Sequence, residues 1–259
     1  MTYGTGHIPD PVGYQRTPFH RLAVRLGLFV GDGALPAHVD LLDAGRLPLD
    51  QAGTSACFGH AAGMGLSIAL DLPWVASPAE IYRNGRAIDR TPGELLTDSG
   101  TQPSQGFRAI NEFGVRPMVA LPTRNSDVDP ATVNDEPKLG DLEDEALEVV
   151  VGDYGIYSHG ARRITDICTA LAHGKPVCIA IAGGSAAFQA YAGGVLGPLA
   201  SPLDHYVLLV GYHTLPDDTV ILDGLNSWGE GWGDRGRFHL SPAAVDELGD
   251  IVALDVRKA

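Results

Sequence analysis

Residues Asp223-Gly224-Leu225-Asn226-Ser227-Trp228-Gly229-Glu230-Gly231-Trp232-Gly233-Asp234-Arg235-Gly236 place two of the chain's three tryptophans within five residues of one another. An asparagine, Asn226, stands two residues before the first of them. Taken as structure alone, the stretch is a glycine-rich loop pinned by aromatic packing. Taken as chemistry, it offers an amide that can hold an imidazole and an indole, Trp228, that can shield that hydrogen bond from water. The second reading needs a histidine from elsewhere in the chain.

Upstream, Leu203-Asp204-His205-Tyr206-Val207-Leu208-Leu209-Val210-Gly211-Tyr212 supplies one at the head of an apolar strand. The chain has nine histidines, so residue type alone decides nothing. His7, His20, His38, His159, His173, His213 and His239 fall in loops, helix ends or polar contexts. His60 lies three residues after Cys57 on the same predicted helix, whereas a catalytic base usually comes from a different element.

The third segment is Gln51-Ala52-Gly53-Thr54-Ser55-Ala56-Cys57-Phe58. It begins a run over Thr54–Leu72 that is apolar on nearly all sides, the mark of a buried central helix. Thr54 or Ser55 is expected to cap it, and Pro73 to end it. Cys57 then sits in the first turn, where unpaired N–H groups and the helix dipole favour a thiolate. A cysteine in a helical Ala/Gly run is by itself more often structural. Cys168 and Cys178 lie in a helical and a strand-like apolar run and read as small buried hydrophobes. Three cysteines do not suggest a disulfide framework.

The order of the three segments narrows the choice. His205 follows Cys57 by 148 residues and Asn226 follows it by 169. At this point the chain resembles the papain family of cysteine peptidases. Leu35–Asp40 is similar to the start of the mature family domain, and Gln51–Gly63 to its nucleophile segment. Asp98-Ser99-Gly100-Thr101 resembles the substrate-binding glycine loop. Ala186–Val195 resembles the loop before the histidine strand. Asn226-Ser227-Trp228-Gly229 with Gly231-Trp232-Gly233 is the most specific match.

The resemblance implies an α+β fold of two subdomains. One half is helical, about residues 50–115, and contains the nucleophile helix. The other is antiparallel and barrel-like, about residues 116–259, and the active site lies in the cleft between them. Residues 1–34 form an extension, and residues 35–259 the peptidase domain. The resemblance further implies Cys57 as nucleophile, His205 as general base, Asn226 as the residue that orients it, and Gln51 as oxyanion donor. Gly100, Thr101, Leu203, Asp204, Tyr206 and Trp228 would line the substrate site. The implied activity is hydrolysis of peptide bonds through a thioester acyl-enzyme, with no metal or cofactor.

The departures from the family pattern are informative. Thr54 stands where the family has a disulfide cysteine, and Phe58 replaces a tryptophan. Thr101 takes the place of a glycine that lets a peptide lie close. Tyr206 is larger than the usual residue and narrows the pocket for the substrate's second side chain. The region before Leu35 is too short for the family's usual inhibitory segment, so either that control is lacking or the arm Met1–Ala34 itself covers the cleft. A transpeptidase or cell-wall amidase would use the same residues. A catalytically silent papain-like protein, serving as a binding or structural part of an assembly, is the reading from another class.

Composition bounds the rest. Apolar residues make up 44% and charged residues 19%, a globular composition. No run approaches the length of a membrane span, and no secretory leader is evident. A cytoplasmic or virion-associated location is expected over secretion, as is a peptide or protein substrate. Oligomeric state is left open. The net charge of −14 argues against a nucleic-acid partner. Acidic residues crowd Asp127–Asp153 without EF-hand spacing, which reads as a solvated face. Abundant Arg, Ala and Gly hint at a bacterial or phage source. Further helices are expected over Pro78–Asn84, Pro103–Phe113 (capped by Ser104) and Ala161–His173. Strands are expected at Glu148–Val151, Val177–Ile181, Val207–Tyr212, Thr219–Leu222, Gly236–Leu240 and Ile251–Val256.

Overall fold

The computed structural model describes residues 3–26, 35–42, 46–89, 98–119, 146–200 and 202–259. Of the acidic run Asp127–Asp153, residues 127–145 lie outside them.

The helix that organises the molecule is α2 (Cys57–Ala69), preceded in the chain by α1 (Phe19–Leu26). Eleven of the thirteen α2 residues are buried, from Cys57 through Ser67. Small side chains make this possible, because a helix of Gly and Ala can approach neighbours on every side. On one side α2 meets α3 (Pro78–Ala87) and α4 (Pro103–Phe113); on the other it lies against the sheet. The cap expected from Thr54 or Ser55 is not made: α2 starts at Cys57, and its N-cap, Ala56, has no side-chain bond. Thr54 Oγ1 turns back to the Gln51 carbonyl at 2.6 Å. The Ser55 N–H donates instead to Asp98, at 3.0 Å. Likewise Ser104 does not cap α4, which opens at Gln102 with Pro103 in its first turn. The Ser104 N–H donates to Asp10, at 2.8 Å. Asp10 thus satisfies a free N–H in the first turn of α4, and Asp98 holds the backbone just before α2; both carboxylates are remote in sequence, which local sequence cannot reveal.

The sheet contains β1 (Thr17–Pro18), β2 (His38–Asp40), β3 (Val149–Gly155), β4 (Val177–Ile181), β5 (His205–Thr214), β6 (Val220–Leu225), β7 (Arg237–Leu240) and β8 (Gly249–Lys258). Its strand order is β1-β3-β8-β4-β5-β6-β7, with β2 pairing β5 off that path. This is the sheet-rich half of the α+β fold expected, and its sheet is open, not closed into a barrel. All pairings but β1–β3 are antiparallel. Two further helices, α5 (Gly160–Ala172) and α6 (Ala186–Gln189), and a 3₁₀ turn at Pro242–Glu247 complete the described elements.

Two apolar cores result. One joins α2 to the sheet through Met64, Leu66, Leu208, Val252 and Leu254. The other lies between the sheet and α5 and includes Ile167, Leu171, Leu209, Trp232 and Phe238. Cys168 and Cys178 are both buried and unpaired. Burial raises both thiols, Cys168 to about 12.

The N-terminal extension includes a helix, α1, whose Phe19, Leu22 and Ala23 enter the second core. Fully burying a side chain the size of Phe19 or Leu22 contributes about 1.5–3 kcal/mol. Arg16, 7% exposed, bonds Asp153 at 3.0 Å, pairs with Asp10 and lies 3.6 Å from Asp250. The stretch from Asp10 to Leu26 is thus built into the body.

Candidate active site

His205 begins β5 and Asn226 directly follows β6. Because β5 and β6 are paired with Leu208 opposite Leu225, the two side chains meet at one end of the hairpin. His205 Nε2 donates to Asn226 Oδ1 at 2.8 Å. The same oxygen accepts from the Ser227 N–H at 2.8 Å. This sets the tautomer: the proton is on Nε2, and Nδ1 is an acceptor. Nδ1 is buried and has no hydrogen-bond partner among the described residues. Trp228 lies over the imidazole, with ring centroids 4.7 Å apart and planes 26° from parallel.

Gln51 reaches the same place from the other side. Its N–H donates to the Ser227 carbonyl at 2.8 Å, and its Oε1 accepts from Ser227 Oγ at 2.5 Å. Its Nε2 donates to the Thr54 carbonyl at 2.7 Å and to the Gly4 carbonyl at 3.2 Å. Cys57, fully buried, opens α2. His60 is not a partner for it: its Nδ1 donates to the Ala56 carbonyl at 2.9 Å.

The cleft is filled by the chain's own residues 3–8. The N–H groups of Gly6 and His7 both donate to the Asp204 carbonyl at 2.9 Å. The Thr101 N–H donates to the Gly6 carbonyl at 3.2 Å, and His7 pairs with Thr101 in a parallel bridge. Tyr3 stacks on Trp228 at 4.6 Å, and Trp228 Nε1 donates to the Gly4 carbonyl at 3.0 Å. His7 stacks on Tyr206 at 5.5 Å and pairs with Asp250 at 3.2 Å. A Cβ on Gly6 would lie 2.1 Å from the Ser55 carbonyl oxygen, and one on Gly100 would lie 2.1 Å from that of Gly6. Gly100 also has φ +93°, which favours glycine. Only bare backbone fits between these walls.

Of the six residues expected to line a substrate site, Gly100, Thr101, Asp204, Tyr206 and Trp228 contact this segment. Leu203 packs among the core residues and approaches Gly249. Two residues outside that set build the wall. Tyr82 donates to Asp98 at 2.6 Å and accepts from the Gly100 N–H at 3.1 Å. Asp98 in turn holds Ser55, so the glycine loop and the Cys57 segment are tied together. A tyrosine in a helix carries no sequence signal for this.

Enclosure governs the ionisation. Burial pushes the Cys57 thiol up to about 12, against the backbone groups of Tyr206, Phe58 and Gly6. Burial pushes His205 down to about 4, although the Asn226 bond opposes it. In the covered form both groups are neutral. The pull of the helix N-terminus expected to favour a thiolate is outweighed by the loss of water.

Comparison with known proteins bears on this geometry. The family model of papain family cysteine proteases matches residues 105–249, more than half of the chain. The chain belongs to the papain family of cysteine proteases. The match includes His205 and Asn226, while the Cys57 segment precedes it. Vignain of Ricinus communis is 40% identical over 76 residues, 29% of this chain and 21% of that protein. A cathepsin L-like protein of Caenorhabditis elegans is 41% identical over 75 residues, 28% and 22%. Chymopapain of Carica papaya is 37% identical over 96 residues, 35% and 27%. The chain thus spans about a fifth to a quarter of the length of these papain-family relatives. Plants and a nematode give no support to the bacterial or phage source that composition suggested.

The fold extends further than the sequence likeness. Xylellain, a cysteine protease from Xylella fastidiosa, superposes with TM-score 0.70 at 22% identity, covering 98% of this chain and 96% of that one. Digestive procathepsin L2 from the larval midgut of Tenebrio molitor gives TM-score 0.68 at 20% identity, covering 97% and 77%. Among the described residues, no helix is long and apolar enough to cross a membrane.

Proposed function

We propose that this papain-family chain is a cysteine peptidase, held in a latent form by its own residues 3–8. The observation that carries the reading is the 2.8 Å bond from His205 Nε2 to Asn226 Oδ1 beneath Trp228. It fixes the imidazole with an unpartnered Nδ1 to exchange a proton with Cys57. Once the cleft opens, water and mutual attraction favour the thiolate–imidazolium pair.

The Cys57 sulfur then attacks the scissile carbonyl carbon, forming a C–S bond, and the carbonyl oxygen takes up the negative charge. Gln51 Nε2 and the Cys57 N–H donate to that oxygen, and losing one such donor costs about 3 kcal/mol in the barrier. His205 gives its proton to the leaving nitrogen as the C–N bond breaks, leaving a thioester. Water attacks the thioester, its proton passing to His205, and the C–S bond breaks to release the acid. Gly100, Thr101 and Asp204 supply backbone groups that a substrate would use in place of residues 3–8. Gln51 is already seated against a carbonyl oxygen, that of Gly4, which supports its role as donor.

The test is hydrolysis of a fluorogenic peptide by a chain lacking residues 1–8, together with labelling of its thiols by an epoxide probe. Peptide mass spectrometry should locate the label on Cys57, already rapid near about pH 5, where an unpaired thiol is unreactive. Cys57→Ala should remove hydrolysis by at least about 10⁴-fold, and His205→Ala should remove the labelling at low pH. Labelling that rises only near about pH 8.5, with no hydrolysis, would instead favour a silent member of the family. The complete burial of Cys57 is the one observation that favours that second reading.

A further inference from the structure

Strands β5, β6 and β7 carry a second group of polar side chains on a different part of the sheet, and the peptidase chemistry makes no use of it. Asp223 on β6 lies directly opposite His239 on β7. Asp223 also faces Gly211 on β5, two residues before His213. Side chains two apart on a strand share a face, so His213, Asp223 and His239 project together. His239 Nδ1 donates to Asp223 Oδ1 at 2.6 Å, and His213 Nδ1 donates to Asp223 Oδ2 at 3.0 Å. The three ligand-type atoms all lie within 4.8 Å of one another. They border an open depression of about 560 Å³, with His38, Asp40 and Asp234 also on its walls.

From this geometry we propose that His213, Asp223 and His239 form a binding site for a divalent transition-metal ion of the zinc class. Two imidazole nitrogens and one carboxylate oxygen, with a fourth position open to water, make a common zinc donor set. Magnesium and calcium prefer sites richer in oxygen. Tetrahedral bonds of about 2.0–2.1 Å put ligand atoms about 3.3 Å apart. The present separations of 2.6–3.0 Å are those of ligands bridged by protons. A cation replacing the two protons needs each imidazole to part from the carboxylate by a few tenths of an ångström, and the two imidazole nitrogens, now within 4.8 Å of one another, to settle at about 3.3 Å.

The surroundings are arranged to help. Asp223 is buried at the floor, while the histidine rings reach the opening. His239 Nε2 lies 3.8 Å from Asp234 Oδ2, on the side where a carboxylate could close to hydrogen-bond distance and steady a metal-bound imidazole. His38 faces His213 on the neighbouring strand β2. Of the arginines on the same walls, Arg237 is engaged by Asp40 at 2.9 Å and Arg235 lies 3.9 Å from Asp234. The site is distinct from the cleft: His213 is eight residues beyond His205 on one strand, about 27 Å away at 3.4 Å per residue. An ion here would cross-link β5, β6 and β7 and brace the strand that ends at Asn226.

The test uses the full chain carrying Cys57→Ala, so that the cleft thiol cannot capture metal. Zinc titrated calorimetrically should bind one ion per chain, with no competition from magnesium. Cobalt should give visible bands of a four-coordinate site without a thiolate charge-transfer band. His239→Gln and Asp223→Asn should each weaken zinc binding by about 100-fold or more, since even supporting partners are worth 10–100-fold. Binding that is absent, or undiminished in both variants, overturns the proposal. Should a variant fail to fold, the cobalt spectrum of the parent chain decides. A thiolate band, from Cys168 or Cys178, or no spectrum at all overturns it equally.

Discussion

The two halves of the N-terminal extension use opposite chemistry. Residues 3–8 are held mainly through backbone: Gly6 and His7 on Asp204, Gly6 on Thr101, and Gly4 under Gln51 and Trp228. Residues 10–26 are held through side chains, by the Arg16 ion-pair group, the Asp10 cap on α4 and the apolar face of α1. Backbone bonds in a cleft can be exchanged one for one with those of an incoming peptide or with water. A buried arginine among three carboxylates cannot be exchanged without leaving charges unpaired. The first half is therefore a replaceable cover and the second part of the framework. Deleting all of residues 1–34 would confuse the two, because it strips Phe19 and Leu22 from the core.

Arg16→Met should have the largest effect. It leaves Asp10, Asp153 and Asp250 facing one another without their cation. Breaking a buried pair from one side costs about 3–5 kcal/mol. Burial already raises Asp153, with Arg16 opposing. Arg16 and His7 together hold Asp250 below its usual range in spite of burial. Urea denaturation should show the unfolding free energy falling by that amount, with the midpoint moving down in proportion. A variant that kept its midpoint and only exposed Cys57 would show that Asp10–Leu26 belongs to the cover.

Acid should act mainly on the cleft. The folded protein resists protonating His205 and His60, both pushed down to about 4 by burial. The unfolded chain takes up these protons near the ordinary histidine value of about 6.5. Stability from each is therefore complete above that value and is lost as pH falls toward about 4, on the order of 3 kcal/mol per histidine. His239 has the opposite sign. Its bond to Asp223 raises it, so its contribution is present in acid and lost as pH rises through its folded value. The denaturation midpoint should drop between about pH 7 and 4.5, and His205→Gln should remove about half of that drop. An undiminished drop would mean that His205 is not shielded by residues 3–8.

These contrasts mark how far the sequence could be read. The Asn226-Ser227-Trp228 run announces its pairing with His205 because strand register and a neighbouring indole are local matters. The β5–β6 hairpin then needs only the loop between to close. The fit of Gly6 against Ser55 is not legible, since nothing near residue 6 says which carbonyl it will meet. The same holds for Asp10, which caps α4, and for Asp98, which holds Ser55 just before α2, each far away in the chain. His239 falls inside the strand expected at Gly236–Leu240, whereas His213 lies one residue past the strand expected to end at Tyr212 and is taken in because β5 runs on to Thr214. Period-two alternation in Tyr212–Thr214 and Arg237–Leu240 was the available signal, but the meeting at Asp223 depends on the register of three strands.

The smallest effect tests the cover alone. Gly6→Val places a side chain where even a Cβ would lie 2.1 Å from the Ser55 carbonyl oxygen and 2.6 Å from the Ser55 Cα. These are backbone atoms next to α2 and cannot yield, so residues 3–8 must leave the cleft. Overpacking of this kind costs about 1–3 kcal/mol, and each 1.4 kcal/mol shifts an open–closed balance about tenfold. Labelling of Cys57 by an epoxide should accelerate by about tenfold or more. The urea midpoint should move much less than in Arg16→Met, because the lost bonds are regained with water. If labelling stays slow while the midpoint falls as far as in the arginine variant, residues 3–8 are as structural as residues 10–26. The cleft would then not open by releasing them.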